Sequence, residues 1–147
     1  RYYKEVKDSA NYISSARRFY QMFLENVNVD SISVSEKIKF IIDENGSRIF
    51  NGNLNKTGNQ INELAWTIFE LSSDPEHLGL ALKWSERTLV YQHPPYYDTY
   101  AHILYKLGAR EKAIEWQEKA IKLSESNGIQ NKNLNAELEK MKNGESF

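Results

Sequence analysis

The sequence carries one pattern twice. LAWTIFEL (Leu64–Leu71) aligns with YAHILYKL (Tyr100–Leu107), and ALKWSERTL (Ala81–Leu89) aligns with AIEWQEKAI (Ala113–Ile121). The step from Leu64 to Tyr100 is 36 residues, and the step from Ala81 to Ala113 is 32. The difference amounts to about one helical turn of chain and falls between Ser72 and Leu80. A duplicated amphipathic helix pair constrains a fold strongly. Each pair has an apolar face that it cannot bury alone, so the copies must stack and share a core. The second copy is the more regular, running from Tyr97 to Leu123 with its break at Leu107-Gly108.

The rest of the chain fits a single domain. At 147 residues it is long enough to bury roughly 70% of its unfolded surface. Cysteine is absent, which excludes thiol catalysis, disulfides and thiolate metal sites within this chain. The net charge is −1, and there is no basic stripe of the kind that nucleic-acid binding needs. No apolar run approaches a membrane span. A chain that starts at Arg1, with no charged-then-apolar leader, is expected to be a piece of a longer or processed protein.

Residues 1–60 read as N-terminal helices. Val6, Ala10, Ile13, Arg17, Tyr20, Leu24 and Val27 recur at helical spacing over residues 1–27, with Phe19 and Phe23 widening the stripe. Asn26–Ser31 is polar and ends the helix. Ser33-Val34-Ser35-Glu36 has the form of a capping box, so a second helix over 34–44 is expected, carrying Ile38, Ile41 and Ile42 and stopping at Asn45-Gly46. The competing reading is a β-hairpin, with Ile38–Ile42 and Arg48–Phe50 flanking the turn. Asn51–Asn59 reads as a loop.

The first repeat covers 61–91. Its first helix carries Ile61, Leu64, Ala65, Ile68 and Leu71. Asp74-Pro75 supplies an N-cap followed by proline at the first helical position. The second helix is expected to bury Leu78, Ala81, Leu82 and Leu89, with Trp84 as a further candidate. Gly79 within it costs about 1 kcal/mol against alanine. The second repeat covers 95–126 and closes at Asn127-Gly128. A capping helix over 131–143 turns Leu134, Leu138 and Met141 inward and keeps its other faces polar.

The second copy resembles a tetratricopeptide repeat, on Tyr97, Tyr100, Ala101, Leu104, Leu107-Gly108, Ala113 and Ala120. It departs from that family at Gln117, where an aromatic is usual, and at Glu125, where a proline is usual. The first copy matches through Leu64, Ala65, Ile68, Ala81 and Leu89, with Thr88 in place of an alanine. The implied fold is all-α, with antiparallel helix pairs stacked as a short tetratricopeptide-like superhelix. Ile61–Lys142 also resembles the helical region that follows thioredoxin-like domains in some bacterial exported proteins. That likeness implies a periplasmic or otherwise exported location. It also implies an alternative role, as a structural or oligomerisation appendage of a redox domain outside this chain.

In tetratricopeptide arrays the first helix of each repeat lines a concave groove. The resemblance places Asn62, Trp66, Phe69 and Glu70 from the first copy on that face, with Asp98, His102, Tyr105 and Lys106 from the second. Trp66 and Phe69 lie outside the Leu64–Ala65–Ile68–Leu71 stripe, so they either wall a site for a protein or peptide or are covered by a terminal helix. Lys106 and Arg110 match positions that hold a carboxylate in peptide-binding members. Here the expected asparagine is His102, so a solvated basic pair is the simpler reading. Asp98 and His102 are spaced to pair on one helix face, but no nucleophile accompanies them. His77 and His93 lack metal-ligand spacing. The expectation is a non-catalytic interaction module without metal or cofactor.

Overall fold

The computed structural model describes residues 8–27, 40–42, 48–50 and 56–147. Six helices dominate: α1 (Ser9–Phe23), α2 (Lys56–Leu71), α3 (Pro75–Thr88), α4 (Pro94–Lys106), α5 (Arg110–Ser126) and α6 (Lys132–Asn143). Two three-residue strands, β1 (Phe40–Ile42) and β2 (Arg48–Phe50), pair antiparallel with Phe40 opposite Phe50 and Ile42 opposite Arg48. The fold class is therefore helical, as the sequence indicates. The helix expected over 34–44 is corrected to the hairpin at 40–42. Its capping box and the turn lie outside the described residues. β-branched isoleucines favour a pleated surface, and here that preference outweighs a capping signal.

Short-range chemistry sets the helix limits. The Asp8 carboxylate accepts from the Asn11 amide at 3.1 Å, and that of Asp74 accepts from the Glu76 amide at 2.8 Å, ahead of Pro75. Asn131 caps α6 through the Asn133 amide at 3.0 Å. Gly108 (φ 88°), Gly128 (φ 74°) and Gly144 (φ 72°) take the left-handed conformation that ends α4, α5 and α6. The segment expected to be loop up to Asn59 already belongs to α2 from Lys56 onward. Gly58 serves close approach there, since a Cβ would lie 2.8 Å from Tyr96 Oη.

The helices pack mainly with their neighbours in sequence from α2 to α6, and α4 also touches α2. One apolar cluster joins Tyr12, Ile13, Ala16, Tyr20 and Leu24 of α1 to Ile61, Ala65 and Ile68 of α2 and Trp84 of α3. A second joins Ala101 and Leu104 of α4 to Ala113 of α5 and Met141 of α6. Ala65, Ala81, Ala101, Ala113 and Ala120 are all fully buried, as close helix contact requires.

The buried face of α1 is rotated from the expected one. Tyr12 and Ala16 are inside, whereas Ala10 is exposed and Arg17 half-buried. Phe19 and Phe23 meet at 5.0 Å with their planes 45° apart on the outer surface and do not widen the stripe. The helix also stops at Phe23, short of Val27, because Arg87 of α3 takes over its end. That guanidinium donates to Tyr20 Oη, to the Leu24 carbonyl at 2.9 Å and to the Val27 carbonyl at 2.6 Å. α6 buries Leu134, Leu138 and Met141 as expected.

Candidate functional site

Helical spacing carries Trp66 and Phe69 to one side of α2 and His102, Tyr105 and Lys106 to the facing side of α4. Trp66 and Phe69 pack ring to ring at 4.8 Å, and His102 lies edge-on to both, at 5.3 and 5.6 Å. Lys106 Nζ stands 4.9 Å from the Phe69 ring and donates to the Phe69 carbonyl. Burial against these groups lowers the lysine pKa from its ordinary value. A cation held against an aromatic face and bonded to a carbonyl is fixed in place, so Lys106 forms a wall and does not sample solvent freely.

The C-terminal residues close the arrangement. Tyr105 Oη donates to the Glu145 carbonyl at 2.8 Å. The Phe147 ring stands edge-on to His102 at 4.6 Å and to Tyr105 at 5.2 Å, with Lys140 Nζ 5.5 Å from its centre. Phe69, Ser73, Tyr105, Lys106, Ser146 and Phe147 enclose a cleft of about 340 Å³. Phe69 and Tyr105 stand 36 residues apart, at matching places in the two aligned segments, and the cleft lies between α2 and α4.

Beneath it lies a polar knot. His102 is 2% exposed. Its Nδ1 sits 2.8 Å from the Asp98 carbonyl oxygen and 3.4 Å from Asp98 Oδ1, and its Nε2 sits 3.1 Å from Glu137 Oε2. Both ring nitrogens thus face oxygen atoms supplied by the chain itself. Gln117 Nε2 donates to Asp98 Oδ1 at 2.8 Å and to the Leu134 carbonyl at 3.2 Å. Desolvation raises the Asp98 pKa, opposed by the neighbouring His102 and the Gln117 hydrogen bond. The knot ties α4 to α5 and α6. It leaves His102 no open nitrogen with which to meet a ligand.

The eight expected residues therefore separate. Phe69, Tyr105 and Lys106 line the cleft, and Trp66, half-buried, flanks it through Phe69. Phe69 and His102 are buried, not open, and Asp98 points into the helix interface. Asn62 and Glu70 do not line the cleft: Asn62 is half-buried one turn before Trp66, and Glu70 is exposed on α2. Of the expected solvated basic pair, Lys106 is half-buried and Arg110 is exposed. Lys106 is engaged with Phe69, and Arg110 caps α6 by donating to the Met141 carbonyl at 2.9 Å and to that of Lys142.

Gln117, Glu137 and the 145–147 segment were not expected to take part. Gln117 carried a signal, since a glutamine in line with Ala113 and Ala120 on the buried side of α5 needs partners. The short tail carried none. A larger cleft of about 670 Å³ lies between α1 and α3. Its rim mixes signs, with Arg17 3.9 Å from Glu76 and Arg87 bonded to α1. Among the described residues there is no group of side chains that could hold a metal ion, and no helix long and apolar enough to cross a membrane. Comparison with protein-family models, curated proteins and solved structures gives no match.

Proposed function

We propose that the chain is a non-catalytic protein-interaction module, built of stacked tetratricopeptide-like helix pairs, that receives a peptide segment in the cleft at the repeat boundary. The observation that carries this reading is the composition and placement of that cleft. Two aromatic residues at equal register, Phe69 and Tyr105, stand with a fixed cation, Lys106, around about 340 Å³ of accessible space. Aromatic and cationic side chains in a concave surface are what peptide recognition uses. The imidazole and carboxylate beside the cleft serve architecture. His102 and Asp98 bond to one another, to Glu137 and to Gln117, an arrangement that supports binding over proton transfer to a substrate.

The reading is tested by selecting binders from a displayed random-peptide library and measuring them against the intact chain and three variants. Tyr105→Ala and Lys106→Ala are expected to weaken selected peptides by roughly ten-fold or more, with helical content unchanged by circular dichroism. Glu70→Ala, away from the cleft, is expected to bind as the intact chain does. Selected peptides indifferent to both cleft variants would place the interaction elsewhere and end this reading.

A further inference from the structure

The cleft already holds something. Gly144 ends α6 in the left-handed conformation and turns the chain back over α4. The next residues run as a bound peptide would. The Glu145 carbonyl accepts from Tyr105 Oη, and two residues on the Phe147 ring lies edge-on to His102 and Tyr105. Lys140 stands near that ring, and Lys106 lines the same space. Phe147 nonetheless remains 43% exposed, and 340 Å³ stays open beside it. It is a partial occupant, seated on a wall built from two repeats.

Resting on the interaction-module reading, we infer that the cleft's ligand is an extended segment that offers a main-chain carbonyl to Tyr105 and an aromatic residue two positions later. The chain's own Glu145–Phe147 holds that place in the absence of a partner. Tyr105 supplies the main-chain bond that sets register, His102 and Tyr105 receive the ring edge-on, and Lys140 stands 5.5 Å from its centre. A partner must displace the tail. A tether this short gives a local concentration in roughly the millimolar range, so the tail competes measurably with a weak ligand and yields to a strong one.

The test uses the full chain and its Phe147→Ala variant, with a synthetic peptide of residues 143–147 (NGESF) and its NGESA counterpart as probes. Nuclear magnetic resonance reads the ring protons of His102, which the ring current of Phe147 should displace. In Phe147→Ala these resonances are expected to move. Added NGESF should return them toward their positions in the intact chain, whereas NGESA should leave them unmoved. The intact chain should bind NGESF roughly ten-fold more weakly than the variant. Unchanged His102 resonances in the variant, or equal binding of NGESF by both chains, would overturn the inference. Selected library peptides that bind the cleft without an aromatic residue would also overturn it, and would leave the interaction module standing. No peptide binding to either chain defeats both.

Discussion

Trp84 and Trp116 hold the same register in the two copies, yet their surroundings differ. Trp84 is 2% exposed, stacked flat on Tyr20 of α1 with ring centres 4.4 Å apart and planes 13° from parallel. Trp116 is half-buried. Tyr97 and Tyr100 of its own helix pair meet it edge-on at 5.3 and 5.0 Å, and Lys119 stands 4.2 Å from the ring centre. Position along a helix fixes where a side chain leaves it. What covers it is decided by the neighbouring element, here α1. The next position repeats the lesson with polar groups. Ser85 and Gln117 are both fully buried. Among the described residues Ser85 Oγ has no hydrogen-bond partner, whereas Gln117 Nε2 holds Asp98 and the Leu134 carbonyl and leaves its own Oε1 without one.

Substitution at the tryptophans is the largest test of this asymmetry. Trp84→Ala is expected to cost about 3–5 kcal/mol, as truncating a buried aromatic does. Trp116→Ala, with part of its ring already in water, should cost about 1–2 kcal/mol. Urea unfolding of both variants reads the difference, and equal losses would break the comparison.

The joint between the copies adds a pH dependence. Burial lowers the His93 pKa from 6.5 to about 4, while Tyr96 meets the ring edge-on at 4.7 Å. The unfolded chain takes up the proton first, so His93 favours the folded state above pH 6.5 and loses that contribution as pH falls toward 4. The loss should be on the order of 2 kcal/mol, discounted from the full shift because the ring keeps some contact with water. Stability measured against pH in His93→Gln should lack this acid-side decline.

Gln117→Ala is expected to cost about 1–3 kcal/mol, because it leaves Asp98 buried with one hydrogen bond fewer. Ser85→Ala should be neutral or slightly stabilising, since the hydroxyl has no partner to lose. Thermal melts that rank the two in the opposite order would contradict the roles assigned to this position. A further effect concerns α3 alone. A Cβ at Gly79 would meet nothing within 4 Å, so Gly79→Ala should stabilise α3 by about 1 kcal/mol.

The features read correctly from the sequence are those decided within a few residues. Asp74-Pro75, Gly108 and Asn127-Gly128 act on their own helix ends, and Leu134, Leu138 and Met141 follow from spacing along one helix. The errors arise where distant chain intervenes. Arg87 ends α1 early, and the face that α1 presents is set by the partners of Tyr12 and Ala16, which its own periodicity does not reveal. At 40–42 the pairing partner is β2, and a local capping signal cannot register it. The cleft was half legible. Phe69, Tyr105 and Lys106 followed from the repeat, but Glu145 lies 40 residues from Tyr105 and belongs to no periodic element. Asn62 and Glu70 failed because helical register places residues on a face without saying how far the facing helix reaches.

Arg87 bears on the order in which the molecule assembles. Its bond to the Val27 carbonyl spans 60 residues of sequence, whereas α2 to α6 pack mainly between sequence neighbours. Local pairs close cheaply and early, and the long loop back to α1 closes after them. α1 is then the last helix to dock and the first to release. Its amides should exchange with solvent through an opening that leaves α2 to α6 protected, and the guanidinium of Arg87 acts as the latch on that opening.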